Sequence, residues 1–135
     1  MSTANNAADT ANNEPFTIST DRASGMMMVT LRGHWNLDDA KRYRSELAEV
    51  MGRNHREIGG LRILFDASDM PLPSGEVAEA VVDAVKCESQ DRFATVLGTT
   101  LAVMGARRRL SENDPGCTWN VFESAADARR WLLEG

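Results

Sequence analysis

Between residues 61 and 76 an apolar run, Leu61-Arg62-Ile63-Leu64-Phe65, ends on Asp66 and crosses Ala67-Ser68-Asp69-Met70-Pro71-Leu72-Pro73 to reach Ser74-Gly75-Glu76. Residue types at this spacing can serve three chemistries. A serine opening a helix is a phosphoacceptor, because the unpaired N–H groups and the helix dipole there favour an anion. The same hydroxyl can instead act as an N-cap, a role that contributes about 1 kcal/mol of stability. Capping is the first reading of Ser74. Asp66 and Asp69 have the spacing of an acid–base or cation-binding pair, yet neither a histidine nor a third carboxylate stands nearby, so they read as solvated turn formers. The third chemistry is recognition. Strand-to-helix loops of α/β sheets carry the working surface of the fold, and Asp66, Ser68, Asp69, Ser74, Gly75 and Glu76 are the candidate partner-binding edge, with Ser74 the candidate phosphoacceptor.

Elsewhere the chain is poor in reactive constellations. His34 stands beside Trp35 and His55 between Asn54 and Arg56, neither with a sequence-local nucleophile or metal partner. Cys87 and Cys117 are the only cysteines, and flanks such as Val85-Lys86-Cys87-Glu88 and Pro115-Gly116-Cys117-Thr118 contain no CxxC. They read as reduced packing residues of a cytoplasmic protein. With no metal cluster, phosphate loop or nucleophile–base set, the expectation is a non-enzyme that needs no cofactor.

Composition narrows the partners. The 135 residues are 42% hydrophobic and 26% charged, which describes one domain with its own core; a chain of this size buries roughly two thirds of its unfolded surface. A net charge of -5 opposes a general nucleic-acid or anionic-membrane surface. Basic residues cluster locally at Lys41-Arg42-Tyr43-Arg44, from Arg53 to Arg56 and at Arg107-Arg108-Arg109, the last at a helix end where cations suit the dipole. No apolar stretch approaches the roughly 18 residues of a membrane span. Residues 1–15 are small and polar and lack the basic flank and apolar run of a signal peptide, so they read as a disordered tail ahead of one domain over residues 16–135.

The elements that must position the loop follow from periodicity. Phe16 to Thr20 and Met26 to Gly33 predict a hairpin, with Met27, Val29 and Leu31 on one face and Met26, Met28, Thr30 and Arg32 on the other. Asn36 predicts an N-cap, with Asp38 and Asp39 in the first turn and Leu37, Ala40, Tyr43, Leu47 and Val50 or Met51 at helical spacing up to Gly59-Gly60. Leu61 to Phe65 predicts a central strand with Asp66 at its end. Val77, Ala78, Val81, Val82 and Val85 predict one apolar stripe on the next helix, and Arg92 to Gly98 a further strand. Thr99 to Leu110 predicts a helix packing through Leu101, Ala102, Met104, Ala106 and Leu110. Thr118 to Phe122 closes the sheet, and a helix from Ser124 to Leu133 turns Ala125, Ala128, Trp131 and Leu132 inward. The order β-β-α-β-α-β-α-β-α describes an α/β fold with a single mixed, mostly parallel sheet.

Three passages carry a family resemblance: the strand-Asp66-loop-Ser74-Gly75-helix signal, Gly33-His34-Trp35-Asn36-Leu37-Asp38-Asp39-Ala40 before the first helix, and Val121-Phe122-Glu123-Ser124-Ala125-Ala126-Asp127-Ala128 with Trp131-Leu132. Together they resemble the STAS/SpoIIAA-like superfamily over about residues 16–133. The nearest likeness is to the branch of small uncharacterised bacterial proteins whose fold is compared with CRAL-TRIO lipid-binding domains. In anti-sigma-factor antagonists of that superfamily a partner kinase phosphorylates the serine of an Asp-Ser-Ser-Gly motif. Here Ser74-Gly75 matches the Ser-Gly, while the loop is shorter and Leu72-Pro73 replaces the preceding Asp-Ser.

The resemblance therefore implies a non-enzymatic regulatory or protein-interaction domain of STAS type, with anti-sigma-factor-antagonist-like partner binding at the Asp66–Gly75 loop. The alternative is a small apolar ligand or lipid module on the same scaffold, its pocket lined by Met26, Met28, Trp35, Val77 and Val81. Aromatic residues such as Trp35 and Trp119 read first as core. The exposed sheet face or the Met26–Met28 pair is also compatible with a homodimer.

Overall fold

The computed structural model describes residues 14–134. In chain order these form β1 (Phe16–Asp21), β2 (Met26–Arg32), α1 (Leu37–Ile58), β3 (Arg62–Asp69), α2 (Gly75–Asp83), β4 (Arg92–Val96), α3 (Thr100–Glu112), β5 (Thr118–Phe122) and α4 (Ala125–Glu134). The expected element order holds. The five strands lie side by side in the order β1-β2-β3-β4-β5, with β1 antiparallel to β2 and every later pair parallel.

Because spatial order follows chain order, each crossover steps across the sheet in the same direction, and right-handed crossovers then place their helices on one face. On that face Tyr43, Leu47 and Met51 of α1 and Ala84 after α2 pack on Met27, Val29, Leu31, Ile63, Phe65 and Phe93. The last helix is not a crossover and is free of that rule. Ala128 and Leu132 of α4 cover the opposite face with Met26, Leu64, Ala94 and Val96. Successive β2 residues thus feed two cores, as the period of two requires. Met26 is wholly buried and Met28 half-buried against α4, so the methionines do not form an exposed pair.

Local chemistry sets the helix ends. Asn36 and Asp39 form a reciprocal capping box at α1, satisfying two N–H groups that the helix itself cannot. The last turn of α4 carries no cation of its own. The sheet supplies two. Arg62 and Arg92 are neighbours in register; Arg62 Nη1 donates to the Leu132 carbonyl at 2.9 Å and Arg92 Nη2 to the Trp131 carbonyl at 3.0 Å. The Arg92 guanidinium also stacks 3.8 Å from the Trp131 ring centroid, so dipole and cation–π attraction act together.

Several boundaries differ from the sequence expectation. β3 runs on to Asp69, because pairing with β2 resumes at Arg32↔Asp69 after an irregularity between Thr30 and Arg32. Of the expected α2 stripe Val77, Ala78 and Val81 are half-buried, joined by buried Ala80 and, just past the helix, by Ala84 and Val85, whereas Val82 points to solvent. On α3 the buried residue is Val103, flanked by half-buried Ala102, Ala106 and Leu110, whereas Leu101 and Met104 are exposed. Only one face of α3 meets β5, and Leu101 and Met104 fall off it. Ala125 is likewise exposed, leaving Ala128, Trp131 and Leu132 inward. Residues 1–13 of the expected tail lie outside the described residues. Its last two are tied to the domain: the Pro15 carbonyl accepts from Arg32 N–H at 2.8 Å and Glu14 pairs with Arg42 at 2.9 Å.

Candidate functional site

The candidate residues share the edge where the parallel strands end. Asp66 closes a local turn, its Oδ1 accepting from Ser68 N–H at 3.1 Å and from Ser68 Oγ at 2.6 Å. Asp69 is exposed, and its carbonyl accepts from Gly33 N–H at 3.0 Å. Met70 then dips into the core, while Leu72 is 71% exposed. Ser74 occupies the N-cap of α2 in extended conformation, but its hydroxyl makes no capping hydrogen bond. The expected cap is present in position and absent in bonding. Gly75 follows at φ +62°, a backbone region that favours glycine, and Glu76 is exposed in the first turn. Asp66 and Ser68 are therefore bonded together, whereas Asp69, Ser74 and Glu76 stand in sequence along the same exposed loop.

A second loop joins this edge. A Cβ on Gly98 would stand 2.7 Å from the Ser68 carbonyl oxygen, so the β4–α3 connection presses backbone to backbone on the end of β3. Beyond it Thr99 caps α3 by accepting from Ala102 N–H at 3.1 Å. Thr100 donates to Glu123 Oε1 at 2.9 Å and Leu97 N–H donates to the Phe122 carbonyl at 3.0 Å, tying in the end of β5. The first two turns of α3 then present Leu101, 81% exposed, and Met104, 60% exposed. Sequence reasoning assigned both to the core. Both lie off the Ala102–Val103–Ala106 stripe that meets the sheet, a face that only packing reveals.

The residues of the alternative pocket do not converge. Met26 and Met28 pack with α4, whereas Trp35 meets Phe16 at a tilt and Tyr43 edge-on and Val81 joins the core on the other side of the sheet. Val77 is half-buried on α2. A groove of about 310 Å³ does run between α1 and α2, but Lys41, Arg44, Glu76, Glu79 and Asp83 line it beside Leu37 and Ala80. Its character is charged rather than apolar.

At the opposite edge the polar groups are inward. Asp91, 1% exposed, accepts from Leu61 N–H and Glu88 N–H at 2.8 Å each and faces His55 Nε2 at 2.9 Å. His55 Nδ1 lies 3.6 Å from Glu88. Both ring nitrogens are thus directed at carboxylates, so the ring stitches α1 to the start of β4 rather than activating a nucleophile. Nearby, burial, then Cys87, Asp91 and Asp114, push the Cys117 thiol up. Tyr43, deep under α1, has its phenol pushed up by burial alone. Among the described residues no group of three or more His, Cys, Asp or Glu is placed to hold a metal ion, and no helix is long and apolar enough to cross a membrane.

No family model matches the sequence, and no curated protein matches it. A solved structure does: an uncharacterised protein of the DUF3478 family from Shewanella loihica PV-4, described as having a SpoIIAA-like fold. The likeness spans 87% of this chain and 91% of that one with a TM-score of 0.62, at 16% sequence identity. The shared feature is the backbone arrangement, one mixed sheet with alternating helices, and on it this chain has a SpoIIAA-like fold.

Proposed function

We propose that this chain is a STAS-type regulatory domain that acts by binding a protein partner at the carboxyl edge of its sheet, without catalysis. The observation that carries this reading is the exposed apolar trio Leu72, Leu101 and Met104 on two loop–helix junctions that are locked together at Gly98 and Ser68. Exposed apolar side chains on an edge that also carries exposed Asp69 and Glu76 supply the two ingredients, anchor and polar rim, of an interface. Ser74 fits the reading as a phosphoacceptor, since it is exposed and its hydroxyl is not engaged in the cap. A phosphate there would add charge beside Asp69 and Glu76 and repel an acidic partner. The dispersed positions of the alternative pocket residues and the charged groove between α1 and α2 favour this reading over an apolar ligand.

The test is quantitative affinity capture from the native host with the wild-type chain, Leu101→Asp, Met104→Ser, Asp69→Lys, Ser74→Glu and, as a distant control, Arg53→Ala. A partner held by the wild type and the control but lost by the edge variants supports the site. Retention of every partner by all four edge variants removes it. A thermal shift of the empty protein across a lipid panel addresses the other reading, since a ligand at a hundredfold excess over its Kd stabilises by about 2.7 kcal/mol.

A further inference from the structure

The two cysteines, unremarkable in sequence, meet in the fold. Cys87 lies in the connection from α2 to β4 and Cys117 immediately precedes β5; parallel pairing of β4 with β5, with Arg92 opposite Thr118, brings the two connections side by side. The Cys87 thiol donates to the Pro115 carbonyl at 2.8 Å, two residues from Cys117, and Cys87 is among the neighbours that act on the Cys117 thiol. Both side chains are half-buried against the same core cluster, so neither is sealed from a small reagent. A structural zinc site would need further ligands, and no group of three or more His, Cys, Asp or Glu is so placed among the described residues.

We propose that Cys87 and Cys117 are a redox modification site, closing a reversible intramolecular disulfide by exchange with a small-molecule disulfide such as oxidised glutathione. One cysteine, as thiolate, attacks a sulfur of the small disulfide; a protein–glutathione S–S bond forms, the original S–S bond breaks, and one glutathione leaves as thiolate and takes up a proton. The second cysteine, after losing its proton, attacks the protein sulfur of that mixed disulfide and expels the second glutathione. The protein dithiol loses two electrons and two protons, and the small disulfide gains both as two thiols. Burial of Cys117 beside Cys87, Asp91 and Asp114 disfavours its thiolate, which makes the exchange slow. Once formed, the bond staples the α2–β4 and α3–β5 connections and encloses β4 and α3, the helix that presents Leu101 and Met104.

The experiment equilibrates the reduced, folded chain with oxidised glutathione at neutral pH and reads intact mass, alkylation by a maleimide, and the linked peptide. The expected product is a monomer lighter by two hydrogen atoms, with loss of both alkylatable thiols and a Cys87–Cys117 linked peptide that dithiothreitol reverses. Cys87→Ser and Cys117→Ser should each stop at a stable glutathione adduct on the remaining cysteine. Persistence of both free thiols, separate adducts on the two cysteines of the wild type, or disulfide-linked dimers would each overturn the assignment.

Discussion

The two ends of the sheet use polar residues in opposite ways. At the amino edge Asp91 is buried and shared among Leu61, Glu88 and His55, so that one carboxylate joins α1, β3 and β4. At the carboxyl edge Asp66 satisfies only its neighbour Ser68, Asp69 and Ser74 are exposed, and Leu72, Leu101 and Met104 face solvent. Both edges are held by a tight glycine contact. A Cβ on Gly60 would lie 2.7 Å from the Gln90 carbonyl oxygen, as one on Gly98 would from that of Ser68. Both frames are tightly packed and the amino edge also exposes Ile58 and Leu133, but its central carboxylate is spent on the fold, whereas Asp69 and Ser74 at the carboxyl edge are exposed. On the proposed reading, that difference separates a stability element from a recognition surface.

The comparison breaks most clearly at Asp91. Asp91→Ala strands two backbone N–H groups and the His55 ring in the interior, and the expected loss is about 3–4 kcal/mol by chemical denaturation; a loss under about 1 kcal/mol would show that the amino edge is not the anchor described. The glycines sharpen it next. Gly60→Ala and Gly98→Ala each force backbone apart and should cost about 1–3 kcal/mol, yet at temperatures where both remain folded only Gly98→Ala should weaken partner capture. Equal loss of capture by both would tie binding to global stability instead of the carboxyl edge.

Smaller effects compare two helix starts. Thr99→Ala removes a real capping bond and should cost about 1 kcal/mol, whereas Ser74→Ala removes none and should change stability by no more than about 0.5 kcal/mol. Matching thermal shifts for the two would mean that Ser74 caps α2 in solution. The smallest expected effect concerns acid. Asp21, at the end of β1, accepts from the Ser24 hydroxyl and the Ala23 N–H of the following turn, which hold its carboxyl below the usual value of 3.8. Its contribution is present above that value and fades as pH falls through the lower folded one. Asp21→Asn should therefore flatten the acid limb of a stability–pH curve slightly, and an unchanged curve would show that this exposed turn adds nothing.

Most of the fold is legible in the residues because strands and helices announce themselves through local period and local capping. The Asn36 cap, the Tyr43–Leu47–Met51 stripe and the alternation of β2 all stand where the pattern puts them. Burial on α3 departs from the sequence expectation because Leu101 and Met104 are apolar, and apolarity alone does not say which side of a helix a sheet will occupy. The end of β3 was misread because an irregularity in β2, not the composition of β3, lets pairing continue to Asp69. Ser74 has the right type and place for a cap, yet whether a hydroxyl reaches an N–H depends on the backbone entering Gly75 at positive φ.

The sequence by itself determined the element order, the mixed mostly parallel sheet and the loop where function was expected, since periodicity, turn residues and crossover handedness act over short stretches of chain. Only the tertiary structure decided which distant groups meet. It placed His55 on Asp91, Cys87 on the loop that carries Pro115 and Cys117, two strand arginines on the last carbonyls of α4, and Gly98 against Ser68. Each of these pairings is set by strand register and by the face on which a helix lands, quantities that belong to the packed sheet and to no single segment of the chain.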